Sequence, residues 1–498
     1  MSLTGDVEIQ IIDGGGAVVS VPASSVQVVI GACSSGAAAQ VVASRDPNAL
    51  KAAVGSGPGV EAAATIIAAG GTALFMKAAT ATPGVASAVT QTGGGAVIGV
   101  SGEPLDAYLV KILWTKAGTV GTDGGRFKLS LDAGRTYGPD IALGDADTYL
   151  IPGTGLTLSF AAGNLAVGDT ATFGCTEPLT DTAGVEACLV ALEASPFSTS
   201  GWGSMHITGP WTGAEAATIQ GFLDTMVTTK TWTRTILTIR DADLPEVYGG
   251  IGESEADWIS AILLDVSALS AKRVCMCAGH YNIPSLFATS IAGLPRYRRP
   301  GAWALAARQV SFGGTVRGGP QTHAGRVSDG ALAQIVVDPT NDPSDGFIYH
   351  NELSSPALDD ARFCSFTRRK GKGGFFVRNP NLMSPTGSSF KLLPHGLVMD
   401  IGCSLEHQVM EEQVNSDVRT NDNGTIDEIA AQGIELVMRG ALRDQMLAKG
   451  MISGFTFTID RTNNVLATSI VKYSSELRSR AYVLQIDGSI GFGNAVGG

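Results

Sequence analysis

Residues able to do chemistry are sparse in this sequence and gather at three places. The run RTILTIRDAD ends in Asp241 and Asp243, and the run KRVCMCAGHY carries Cys275, Cys277 and His280. Both read as buried strands, and ligands of parallel sheets bind beyond the carboxyl ends of the strands. Asp241, Asp243 and His280 therefore form a candidate acid–base set, although Asp is equally at home in turns and caps. Cys275 and Cys277 stand two apart, so on a strand their thiols share a face. A structural zinc site needs four ligands, and no second pair stands at useful spacing, which favours a buried strand end. The third place, GSGPG at 55–59, lacks the Lys and Ser/Thr of a phosphate-gripping loop and reads as a turn. GWGSMHITG lacks the spacing of a nucleophile elbow. No catalytic, cofactor or metal role is assigned, and the expectation is a protein that is not an enzyme.

Charge and sulfur remain to be placed. The net charge is −12, against the basic surface a general nucleic-acid binder needs. Within that acidic background Arg368, Arg369, Lys370 and Lys372 form a basic hairpin tip, either solvated or a contact loop for an acidic partner surface. The seven cysteines have no framework spacing and mostly suit small buried positions. An odd number leaves at least one without an internal partner, so bridges between subunits become possible outside the cell, with Cys33, Cys175, Cys188, Cys364 and Cys403 as candidates. MSLTGDVEIQ has neither the basic nor the apolar region of a signal peptide, and no apolar run reaches the length of a membrane span. Synthesis in the cytoplasm without membrane insertion is expected.

The elements that must position these residues follow from periodicity. An extended arm, 1–25, carries Val7, Ile9 and Ile11 in strand alternation. Residues 26–79 alternate strand, helix, helix and strand: VQVVIG, then a helix capped by Asp46 with Pro47 at its first position, then VEAAATIIAAGG, then TALFMKA. Short alternating runs between turn signals make 80–182 an inserted all-β domain, with Leu156, Leu158 and Phe160 on one face. Residues 183–345 alternate helix and strand, with a Thr212–Glu215 capping box, and predict a parallel sheet. Residues 346–480 contain a hairpin (ARFCSFT and FFVRN), a helix near 396–415, a helix over 426–449 with a Thr425–Glu428 capping box, and two strands, FTFTID and VLATSIV, around RTNN. The chain closes on a second arm, 481–498, with Tyr482, Leu484 and Ile486 in alternation. The class is mixed α/β and multidomain: an α/β core from both ends of the chain, a β-rich insertion, a parallel-sheet domain and terminal arm strands.

The order and motifs resemble the sheath protein of contractile bacteriophage tails. VQVVIGACSSG with SRDPNALKAAVG and GGTALFMKA resembles the opening of the sheath core, RRPGAWALAAR its central region, and ARFCSFTRRK with the closing helix and hairpin its C-terminal core. The 80–182 region corresponds to the variable outer insertions. The resemblance implies a self-assembling structural subunit in a virion, assembled in the host cytoplasm. It implies stacked, six-fold rings around a tail tube, joined by exchange of the arm strands. It implies tube, baseplate and tail-terminator proteins as partners, contraction that drives the tube through a host envelope, and Arg439, Arg443 and Lys449 as tube-facing candidates. No cofactor is implied. Exposed strand edges are an aggregation hazard unless assembly uses them, and added strands supply main-chain hydrogen bonds. Two alternatives stay open: a static tail or surface-layer protein, and an enzyme built on Asp241, Asp243 and His280.

Overall fold

A computed structural model describes residues 25–93, 95–200, 202–243, 253–287, 296–311, 335–336, 354–369, 372–385, 387–414 and 416–481. The chain divides into two compact units, 1–418 and 419–498. The fold is mixed α/β.

The first unit is organised by a six-stranded sheet with the order Val274–Cys277, Thr235–Thr238, Ser204–Pro210, Val26–Gly31, Thr72–Lys77, Val41–Ser44. The first five strands run parallel and the last pairs antiparallel. Its parallel strands are apolar on both faces because helices cover both, as parallel sheets require. Val28, Val29 and Ile30 are buried in one strand, and Val274, Cys275, Met276 and Cys277 in another. The helix Pro47–Val54 begins where Asp46 accepts from the Asn48 amide at 2.9 Å. The helix Gly213–Thr228 opens with the full reciprocal box between Thr212 and Glu215. The helix Pro58–Ala68 crosses the sheet so closely that a Cβ at Gly31 would stand 2.1 Å from Thr208 Oγ1 and 2.8 Å from the Gly59 Cα. Small residues at that crossing are a packing requirement.

Residues 90–175 carry a separate hydrophobic core. A five-stranded antiparallel sheet centres on Thr170–Cys175 and Tyr108–Lys116, and a three-stranded one on Leu156–Phe160. Tyr108–Lys116 alternates buried and half-buried positions over most of its length, the signature of a strand with one face inward. Trp114, Phe127 and Phe160 meet edge-on or tilted in the middle, with Leu156 and Leu158 buried beside them.

Three buried ion pairs, around two carboxylates, tie the first unit together. The Leu393–Glu411 helix carries Asp400, which lies 2.9 Å from Arg234 Nε and 3.1 Å from Arg273 Nη1. Those arginines immediately precede two adjacent parallel strands, so one carboxylate pins the helix to both. Gly396 lets the helix approach: a Cβ there would lie 2.2 Å from Arg234 Nε. Arg299 makes a bidentate contact to Asp106 at 2.8 Å to each oxygen, linking the Arg296–Pro300 strand to the β-rich region.

Three local expectations are revised. The helix following 425 is capped by Asp427, not by a Thr425–Glu428 box: Asp427 accepts from the Ile429 and Ala430 amides. The segment VLAT, expected as a strand, is a short helix, Val465–Thr468, capped by the Asn464 side chain. The partner of the Ile452–Ile459 strand is instead Tyr473–Ser479. The 366–377 hairpin is tighter than expected, with Arg369 paired to Lys372, so Arg368, Arg369 and Lys372 belong to its strands.

Candidate functional site

The second unit concentrates exposed apolar surface. Its helix Glu428–Leu442 continues as a π-helical turn, Arg443–Leu447. Ala431, Glu435, Met438, Leu442 and Met446 face inward, toward the hairpin whose Ile452, Phe457 and Ile459 are buried. At 100° per residue the opposite side of the α-helical part presents Ile429, Gly433, Leu436 and Gly440 in one stripe. Ile429 is 73% exposed and Leu436 74%. A Cβ at Gly433 or Gly440 would meet nothing within 4 Å, so a neighbouring backbone could approach the helix there. The hairpin adds Leu466, Ile470 and Tyr473 to the exposed set. Seven of the fifteen exposed large apolar side chains among the described residues thus sit in this small unit. That density separates it from an ordinary monomer surface, where such side chains are scattered.

A polar cluster around the buried Glu435 holds the stripe in place. Glu435 accepts from the Ile459 amide at 2.9 Å and from Arg461 Nη1 at 2.6 Å. Arg461 also reaches Glu428 at 2.6 Å. Arg461 holds the Glu435 carboxyl below the usual carboxylate range. Sequence patterning missed this network. Its signal, glutamates seven apart on a helix before an arginine in a turn, has too many innocent occurrences to be read alone.

The predicted contact residues fall as follows. Arg439 is half-exposed, and its guanidinium is engaged by the Phe457 carbonyl at 2.9 Å and by Glu435 at 3.1 Å. Arg443 is exposed and pairs with Asp444 at 2.8 Å, and Lys449 donates to Gln445 at 2.7 Å. Only Arg443 and Lys449 of the three thus hold surface-exposed pairings alone. The arm residues Val7, Ile9, Ile11, Tyr482, Leu484 and Ile486, and Lys370 of the basic loop, lie outside the described residues. Among the cysteines, Cys33, Cys175, Cys188 and Cys364 are buried and Cys403 is half-buried. Burial pushes the Cys175 thiol up to about 12 and those of Cys188 and Cys403 to about 11.

The alternative chemical set does converge. Beyond the carboxyl ends of the 204–210, 235–238 and 274–277 strands lies a cavity of about 400 Å³. Asp241, Asp243 and His280 line it, and His280 Nδ1 stands 3.3 Å from Asp241. Asp243 faces Arg240 at 3.8 Å, and Arg240 is itself clamped by Glu253 through two 2.7 Å bonds. The thiol on the wall, Cys175, is held protonated by burial and is a poor nucleophile. No group of three or more potential ligands able to hold a metal occurs among the described residues. No helix of the described residues is long and apolar enough to cross a membrane.

The chain belongs to the DUF2586 family: the model of that family's N-terminal domain matches residues 4–381. No curated protein matches it. Among solved structures the chain is similar to tail sheath proteins. One, from Desulfitobacterium hafniense, is 11% identical with a TM-score of 0.45, over 95% of this chain and 100% of that one. Another, from Listeria innocua, is 12% identical with a TM-score of 0.44, over 93% and 96%. The helical sheath of the anti-feeding prophage in its contracted state is 9% identical with a TM-score of 0.42, over 64% and 77%.

Proposed function

We propose that this chain is the structural subunit of a contractile tail sheath. The observation that carries the reading is the C-terminal unit, 419–498, whose helix turns one apolar stripe outward while the buried Glu435, paired with Arg461, fixes its other side. Such a surface is costly to leave in water and supports contact with further copies or with a tube. Terminal arms that add strands to neighbouring subunits would join the copies into rings, and a contact that repeats without closing extends them into a helical array. Contraction then drives an enclosed tube through an envelope. In this scheme Arg443 and Lys449 are the tube-facing cations, Arg439 supports the hairpin, and the 368–372 tip meets a neighbour. A bridge between subunits falls most naturally to Cys403, the least buried thiol; non-reducing gels of assembled particles showing monomer alone would exclude it.

The experiment is assembly of the purified full chain against a chain ending at 480. The full chain should form hollow cylinders and the truncated chain a soluble subunit. Cylinders formed equally well by the truncated chain would defeat the arm mechanism. A second reading, acid–base chemistry in the cavity, draws on the Asp241–His280 pair. It predicts a ligand whose binding is lost in Asp241→Asn while assembly is unchanged.

A further inference from the structure

Three thiols meet inside the first unit. Cys275 and Cys277 lie on the edge strand of the parallel sheet, and Cys364 lies on the segment that covers that edge. The Cys364 amide donates to the Met276 carbonyl at 2.8 Å, and its carbonyl accepts from the Ala278 amide at 2.9 Å. These bonds set Cys364 directly opposite Cys277 in parallel register. Residues paired across a ladder point to the same face, and so does Cys275, two positions earlier. All three side chains are fully buried, and both strand thiols lie close enough to Cys364 to interact with it.

The register chooses a pair. Neighbouring strands lie about 4.8 Å apart, inside the ~4.4–6.8 Å Cα range of disulfides. Cys275 is displaced by two residues along the strand, which puts its Cα roughly 8 Å from that of Cys364, beyond bridging distance. The neighbouring thiols and the Arg308 guanidinium favour the Cys364 thiolate, whereas burial and the nearby Cys364 disfavour ionisation of Cys277.

We propose that Cys277 and Cys364 are an oxidation site that a peroxide converts to an internal disulfide, with Cys364 attacking and Cys275 holding it in place. A water-sized oxidant suits a cluster closed to bulkier reagents. The Cys364 thiolate attacks one peroxide oxygen, the O–O bond breaks, and the departing hydroxide takes a proton to leave as water. Cys277 sulfur then attacks the resulting sulfenic acid, the S–O bond breaks, and the hydroxyl leaves with the Cys277 proton as a second water. Two thiols and one hydrogen peroxide thus yield one disulfide and two waters. The product staples the covering segment to the sheet edge, independently of whether the chain assembles.

The test treats the folded full chain with hydrogen peroxide, alkylates the remaining thiols in denaturant, and maps tryptic peptides. The expected result is loss of two of the seven thiols and a dithiothreitol-sensitive link between peptides 274–296 and 363–368, assigned by fragmentation to Cys277. The oxidised chain should melt higher, and reduction should reverse the shift. Cys275→Ala should still form the link, about fivefold more slowly for the loss of its polar contact, and Cys277→Ser should not form it. A wild-type link to Cys275 or to another cysteine, oxidation of Cys364 to sulfinic acid without a link, or seven unreacted thiols would each overturn the assignment.

Discussion

If the outward stripe is an assembly surface, charging it must stop assembly and leave the subunit folded. Consider Ile429→Asp with Leu436→Asp, two positions seven apart on one side of the helix. Burying such a side chain fully is worth roughly 1.5–3 kcal/mol. With 73% and 74% of each exposed in the subunit, about 1–2 kcal/mol per residue remains to be gained on contact. The pair together supplies about 2–4 kcal/mol per subunit, or roughly 30- to 1,000-fold in the contact constant. Aspartate forfeits this and adds the desolvation of a charge. In the isolated subunit the same changes touch no buried group and should move stability by about 0.5 kcal/mol or less apiece. Sedimentation reports assembly, and a thermal melt reports the fold. Unchanged assembly with an unchanged melt would refute the argument. Met438→Asp, on the fully buried side of the same helix, should instead unfold the unit.

Further outcomes follow from the buried charges. Asp400→Ala leaves Arg234 and Arg273 facing each other in the interior and should destabilise the first unit by about 3–5 kcal/mol, read as a lowered urea midpoint; the Trp232 ring, packed on His407 of the same helix, gives a local fluorescence signal. Glu435→Ala removes the acceptor shared by Arg461 and the Ile459 amide and should release the hairpin from its helix, seen as faster amide exchange across 452–459. The Glu177 carboxyl is raised to about 7 by burial and by the Asp106 charge, with Arg299 opposing. Folding then favours its protonated form, so its contribution falls as pH rises from the ordinary glutamate value near 4.5 through about 7. Glu177→Gln should flatten stability over that window and raise it above pH 7 by roughly 1–3 kcal/mol; unchanged pH dependence would remove Glu177 from the account.

Elements with strong local signals were legible. The Thr212–Glu215 box, the Asp46 cap and the doubly apolar strands 26–31 and 274–277 all read directly, because period and capping chemistry act within a few residues. VLATSIV misled because β-branched residues favour strands, whereas Asn464 captures the Ala467 amide and starts a helical turn. Thr425 misled for a similar reason: its hydroxyl donates to Asn423, and Asp427, two residues on, takes the helix start. The chemical set was half legible. Strand order placed Asp241 and His280 at one sheet end, but the Glu253 clamp on Arg240 joins residues 13 apart and leaves no local trace. The outward stripe was not legible: on the 426–449 helix Leu436, Val437, Leu442 and Leu447 all read as core, and of these only Leu442 is buried. Which side faced the hairpin required the Glu435–Arg461 contact, a pairing between residues 26 apart that periodicity does not encode.

The central claim is tested most directly by electron microscopy of the purified full-length protein, before and after mild destabilisation with urea. The account predicts hollow cylinders in two states, one longer and narrower, the other shorter and wider. Dispersed monomers, or cylinders of a single fixed length and diameter, would contradict it.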